Sequence, residues 1–431
     1  MPYAAARPLL LSLSEVLPTE LNTGTASQRE AAWPGWLTQH DREIRERLER
    51  GDDDTIVNWL LFGTSFTRQP RVLLDGTGAS GPEVVPGRIR DFLDALASPG
   101  ADERRVFARA TLQRHGHGVD TPADRDRMTQ YLQSEIARVG REQRQFAQEL
   151  AAARTLQDAT AEFATRSRLF RDRGLSLDTT IQPGFAVERA LDRLRGDKLL
   201  APRSVRRVAV IGPGLDFADK TTGYDFYPQQ TVQPFALIDS LIRLGLDHPG
   251  GVQLTTLDVS PRINDHLARA RKQAASGSPY LIRIPLDLAL SWKPDVVEYW
   301  KRFGDRVGSE TRDAKPAAAG RTVDVRTIRV RPQEVLRVTP EALNVVVARL
   351  EDAPFDLVLA TNVFVYYDVL DQCLALTNVE AMLRPGGFLL SNNALLELPA
   401  SHMRSAGYLT VQYSDREDDG DHIVWYRRLP D

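Results

Sequence analysis

Three short stretches of this 431-residue chain carry residue types that could do chemistry. The first is Gly212-Pro213-Gly214, which directly follows the apolar run Val208-Ala-Val-Ile211. Glycines at a strand end let backbone N–H groups approach a ligand with no Cβ in the way, and they accept positive φ. A dinucleotide-binding turn needs G-x-G-x-x-G, but Phe217 stands at the third glycine position. The next strand-end acid, Asp258, lies 46 residues beyond Gly212, against about 20 in that fingerprint. The spacing leans away from a nicotinamide cofactor. Asp258, in Thr255-Thr-Leu-Asp258-Val259-Ser260, ends the second apolar run. A carboxylate there can accept both hydroxyl hydrogen bonds of an adenosine ribose, with Val259 beside it. The alternative is an N-cap for a helix beginning near Pro261, a role Ser260 also fits.

The third stretch is Phe355-Asp-Leu-Val-Leu-Ala-Thr-Asn362, followed by Val-Phe-Val-Tyr366-Tyr367-Asp368. Asn362 either caps the next helix or faces a reacting centre, and Tyr366 and Tyr367 either pack or line a substrate pocket. Between the glycine turn and the helix expected at Phe235 lies an unusually long polar-aromatic connection, residues 215–232. It can fold over a ligand as a lid that offers Tyr224, Asp225 or Tyr227, or it is a surface loop held by its aromatics. His402 stands alone, and a lone histidine is usually structural.

These residues need an open sheet to hold them. Apolar runs at 207–212, 252–259, 323–330, 355–361 and 388–391 alternate with helical segments at 235–244, 263–275 and 370–383. That alternation predicts a parallel sheet covered on both faces. Leu409–Tyr413 and His422–Arg428 flank Asp-Asp-Gly-Asp, a hairpin signal.

Together these features resemble a class I S-adenosylmethionine-dependent methyltransferase over about residues 200–431. The matching elements are the glycine turn, Asp258, Asp356 opening the fourth run, Leu383-Arg-Pro-Gly-Gly-Phe388 before the fifth, and the terminal hairpin. Within that superfamily, Thr361-Asn-Val-Phe-Val-Tyr-Tyr367 is similar to a segment of the CheR-type chemotaxis-receptor glutamate methyltransferases, and 277–322 sits where those enzymes carry an insertion. The resemblance implies an α/β Rossmann-like methyltransferase fold, with a mostly parallel seven-stranded sheet, a terminal antiparallel hairpin and an α-helical N-terminal domain. It implies S-adenosylmethionine as cofactor, held by Gly212, Pro213, Gly214, Asp216, Asp258, Val259 and Asn362. It also implies in-line methyl transfer to an O- or N-nucleophile of a small molecule or a protein carboxylate. Tyr224, Tyr227 and Tyr366 are the candidates for a catalytic role, and no metal is expected. Val210 stands where the family carries an acid, with Asp216 as a candidate substitute. The alternative is a non-catalytic adenosyl-binding scaffold whose helical half binds a protein partner.

The N-terminal half reads differently. Residues 1–25 look like a loose arm, and 28–170 are helical in pattern, with Gly51-Asp-Asp-Asp54 as caps for a short helix from Thr55. Residues 76–87 read as a loop. Thr121-Pro122 opens the longest helix, over 122–172, whose seam (Leu132, Ile136, Val139, Phe146, Leu150) either buries against the chain's own helices or forms a dimer contact. Arg104-Arg105 and His115-Gly-His117 read as solvated. The domain boundary falls at 195–196.

A net charge of −3 gives no electrostatic case for a nucleic-acid partner. No run reaches the about 18 apolar residues of a membrane span. The single cysteine, Cys373, excludes a disulfide framework and fits a cytoplasmic location.

Overall fold

The computed structural model describes residues 1–13, 17–72, 83–155, 182–217, 224–288, 290–311, 323–351, 354–398, 400–416 and 419–430. Among them ten strands divide into two sheets. The central one contains β1 (Arg207–Ile211), β2 (Gln253–Asp258), β6 (Val338–Ala342), β7 (Phe355–Ala360), β8 (Leu383–Ser391), β9 (Met403–Gln412) and β10 (Gly420–Arg428). Their spatial order is β6-β2-β1-β7-β8-β10-β9. The first five run parallel, and β10 lies antiparallel between β8 and β9. The chain order reverses at β1, which is flanked by β2 and β7, so the crevice beyond the carboxyl ends of these three strands is the expected ligand position.

The run at 323–330 is not the third strand of this sheet. It forms β5 (Val323–Val330), which pairs antiparallel with β3 (Tyr280–Asp287) and β4 (Gly308–Thr311) in a small side sheet. The third parallel strand is β6, whose sequence Val-Thr-Pro-Glu-Ala is half exposed at the sheet edge and so shows no apolar run.

Period-two alternation sends neighbouring side chains to opposite faces. Val208 and Val210 join one core with α7 (Gln182–Gly196), α8 (Gln233–Arg243) and α9 (Pro261–Ala275), whereas Ala209 and Ile211 join a second with α12 (Val369–Met382). Two short helices, α10 (Pro294–Arg302) and α11 (Pro332–Val335), fill the connections between. Asp356 ties three strand starts together. Its carboxylate accepts the N–H groups of Arg206 (2.7 Å) and Arg207 (2.9 Å) and pairs with Arg384.

The first 25 residues are not a loose arm. Helix α1 (Tyr3–Ser12) and the single turn α2 (Thr19–Asn22) bury Ala6, Leu9, Leu10 and Leu21 against the α12 face. The Met1 ammonium donates to the Val347 carbonyl at 2.8 Å. The capping box at Thr25 and Gln28 starts a 37-residue helix, α3 (Ala26–Phe62), which runs unbroken through the Gly51-Asp-Asp-Asp54 stretch read as caps. Gly51 is tolerated because it is buried within the helix. The first half of α3 packs Trp33 and Ile44 on the α12 face; its second half packs Ile56, Trp59 and Leu60 against α4 (Val84–Ala97), α5 (Glu103–Arg114) and α6 (Pro122–Thr155). The segment read as loop therefore ends at Glu83, and 76–82 lie outside the described residues. Along α6, Leu132 and Val139 are buried against these neighbours, and 156–172 lie outside the described residues. No helix among the described residues is long and apolar enough to cross a membrane.

Candidate functional site

The carboxyl ends of β1, β2 and β7 surround one pocket. Gly212 and Gly214 enter from β1, Asp258 and Val259 from β2, and Thr361, Asn362, Val363 and Tyr366 from the turn after β7. Gly212 and Gly214 hold φ of 62° and 72°, a left-handed turn that a side chain resists. A Cβ on Gly212 would lie 2.7 Å from Cγ2 of Val363, so the turn after β7 presses on the glycine turn.

Asp258 is buried, and its Oδ1 accepts the Ser260 N–H at 2.7 Å. Ser260 is the N-cap residue of α9, and its own side chain makes no cap hydrogen bond. Burial pushes the Asp258 carboxyl up to about 7, although the N–H groups of Ser260 and Val259 and the Arg262 charge favour its ionised form. Beside it, Leu257, Ile263, Leu343 and Val345 make an apolar slot suited to a flat heterocycle.

Asn362 sits at φ 57° and does not cap a helix. Its N–H donates to Asn392 Oδ1 at 2.8 Å, and Asn392 Nδ2 returns a hydrogen bond to Asn362 Oδ1. The cap of α12 is Asp368, which accepts the Asp371 N–H at 2.9 Å. Tyr366 and Tyr367 both line the pocket, and burial raises the Tyr367 phenol well above its ordinary range.

Sequence reasoning missed two contributors. The polar Gln233 opens α8 and lines the pocket between Gly214 and Thr361; its only sequence signal is a polar side chain between Val232 and Pro234. The roof comes from α3: Leu48 lines the pocket, Arg45 Nη1 donates to the Val259 carbonyl at 3.1 Å, and Arg47 Nη2 to that of Tyr366 at 2.7 Å.

The structure places Pro213, Asp216, Tyr224 and Tyr227 outside the lining of this pocket. Asp216 pairs with Gln230, backbone N–H to carbonyl (2.8 Å) and carboxylate to amide (3.0 Å). Tyr224 is buried and donates to Asp287 at 2.9 Å. Arg104, read as solvated, is buried and donates to the carbonyls of Phe217 and Tyr227. Asp225 accepts from Trp59 Nε1 (2.6 Å) and from the N–H groups of Thr64 (3.0 Å) and Ser65 (2.9 Å). Phe217 completes the helical core, with ring centroids 5.7 Å from Trp59 and 5.6 Å from Phe107. The 215–232 connection is thus an anchor to the helical half; its residues 218–223 lie outside the described ones. His402 is half exposed and lies 3.3 Å from Glu380.

No protein-family model matches the chain, and a search of curated proteins finds no match. Among solved structures similar to it is the N-methyltransferase NodS from Bradyrhizobium japonicum WM9, at 14% identity and TM-score 0.27, covering 56% of this chain and 98% of that one. Another is the glycopeptide N-methyltransferase MtfA complexed with S-adenosyl-L-methionine, at 15% identity and TM-score 0.24, covering 57% and 67%. A third is a TehB-like SAM-dependent methyltransferase from Corynebacterium glutamicum, at 10% identity and TM-score 0.22, covering 57% and 98%.

Proposed function

We propose that this chain is an S-adenosylmethionine-dependent methyltransferase. The observation that carries the reading is the convergence of Gly212, Asp258 and Asn362 on one pocket at the point where the strand order reverses. In this assignment Asp258 accepts from the ribose hydroxyls, the slot of Ile263, Leu343 and Val345 takes the adenine, and the glycine turn admits the amino-acid tail. When bound, the cofactor supplies an electrophilic methyl group on a sulfonium. The protein's share is alignment and exclusion of water: Leu48 closes the roof, and Asn362, locked by Asn392, fixes the wall at the β7 end.

Among the described residues, the ionisable side chains lining the pocket are Asp258, Tyr366 and Tyr367. With Asp258 committed to the ribose and Tyr367 held protonated, Tyr366 is the lining group left to take a proton, and a phenol is a poor base at neutral pH. The acceptor that fits is therefore a nucleophile needing no protein base: a carboxylate, as in the CheR-type reading, or an unprotonated amine.

Calorimetric titration with S-adenosylmethionine and S-adenosylhomocysteine tests this, with NADH as control and Asp258→Ala alongside. The expected result is micromolar binding of both adenosyl ligands that the substitution weakens about ten-fold or more, ~1.4 kcal/mol. Folded protein that binds neither refutes the reading. Binding without methyl transfer to any carboxylate or amine tried would favour the scaffold alternative.

A further inference from the structure

We infer that Gln233 anchors the ammonium group of the cofactor's amino-acid tail; this rests on the cofactor reading above. Gln233 is 8% exposed and lines the pocket. Its Nε2 donates to Thr361 Oγ1. Its Oε1 is shut off from solvent and accepts no hydrogen bond. A buried acceptor left unsatisfied costs about 1–3 kcal/mol, so a donor arriving with a ligand is what this atom lacks.

Its place along the pocket says which donor. The strand ends run β6, β2, β1, β7, with the apolar slot and Asp258 at the β6–β2 end and Gln233 with Thr361 at the β1–β7 end. An adenosine held at Asp258 directs its 5′ substituent toward Gln233. Among the described residues Asp258 is the one carboxylate lining the pocket, and it lies at the β2 end. Val210, the position where the sequence pattern calls for an acid, is fully buried in the core facing α8. The Gln233 amide oxygen is an acceptor there without a partner, and it suits an ammonium, not a carboxylate.

The test compares three ligands by calorimetry. S-adenosylhomocysteine carries the whole tail, S-adenosyl-3-thiopropylamine keeps the amine without the carboxylate, and 5′-methylthioadenosine has neither. Gln233→Leu is expected to weaken the two amines about ten-fold or more while 5′-methylthioadenosine stays within about two-fold. Gln233→Glu, which keeps an acceptor at the position, restores binding of both amines. Thermal melting establishes that each variant is folded. Equal loss for all three ligands, no loss for any, or wild-type protein that gains nothing from the tail overturns the inference while leaving the cofactor reading in place. Wild-type protein that binds none of the three overturns the cofactor reading and this inference with it.

Discussion

On the proposed ribose contact, the raised pKa of Asp258 makes affinity for an adenosyl ligand depend on pH in a definite direction. A carboxyl titrating at about 7 is about 10% ionised at pH 6 and about 90% at pH 8. If the ribose is held by the ionised carboxylate, affinity rises roughly nine-fold across that interval, ~1.3 kcal/mol. The ligand to use is 5′-methylthioadenosine, which has no tail to titrate, measured by calorimetry at pH 6, 7 and 8. Asp258→Asn keeps the shape and removes the charge, so its affinity is expected to be flat with pH and lower than wild type at pH 8. Stability moves the other way. Because the folded-state pKa lies above the ordinary carboxylate value of 3.8, ionising Asp258 penalises the empty fold. That penalty is complete above pH 7 and is relieved as pH falls toward 4. Asp258→Asn should therefore raise the melting temperature of ligand-free protein more at pH 8 than at pH 5. An affinity that is flat with pH in wild type, together with an Asn variant that binds as well as wild type, would refute the assignment of Asp258 to the ribose.

Three further outcomes follow from contacts around the site. Gly212→Ala places a Cβ at φ 62° and 2.7 Å from Val363, and is expected to cost roughly 1–3 kcal/mol and to weaken S-adenosylhomocysteine. Adding Val363→Ala removes the clash but not the φ strain, so the double variant should recover part of the stability in a urea titration and never all of it. Asp225→Ala strands the buried Trp59 Nε1 and the Thr64 and Ser65 donors, and about 3 kcal/mol of stability should be lost in the same assay; a loss under about 1 kcal/mol would show that the anchor is dispensable. His40 lies 2.6 Å from Asp371. Burial alone would depress the imidazole, but the Asp371 carboxylate holds it above its ordinary value. The stabilisation this pair gives is complete below the unfolded value near 6.5 and is lost as pH rises through the folded one, so His40→Asn should flatten the decline in stability between pH 6 and 9.

The central sheet was legible because its inner strands bury both faces. β7 is buried at all six positions and, after Asp356, reads as the apolar run Leu357–Ala360, as β1 does from Val208 to Ile211. Where a strand has only one neighbour that signal fades, which is why β6, with Pro340 and an exposed end, was passed over for the apolar Val323–Val330 of the side sheet. Asp258 was legible because an acid at a strand end is chemically conspicuous. Gln233 was not: a glutamine at a helix start looks like any surface polar residue until the fold sets it against Thr361. The long helix α3 was broken in the reading at Gly51 because glycine and three aspartates make a plausible stop. What carries the helix through is tertiary: Thr55, Ile56 and Val57 are all buried beyond it, so the packing they gain outweighs the poor local propensity.

That unbroken helix changes what the N-terminal half is for. Its first half is docked on the α12 face by His40 and Ile44, its middle roofs the pocket through Arg45, Arg47 and Leu48, and its end holds the 215–232 connection through Trp59. The same connection begins at the glycine turn, only three residues before Phe217 enters the helical core. The pocket's roof at Leu48 and the connection that leaves its glycine turn are thus held by one helix. Phe217, which spoils a dinucleotide fingerprint when read as a failed glycine, is in the fold the peg that joins the glycine turn to the helices. The position where the expected motif breaks is also where the two halves of the protein become mechanically one.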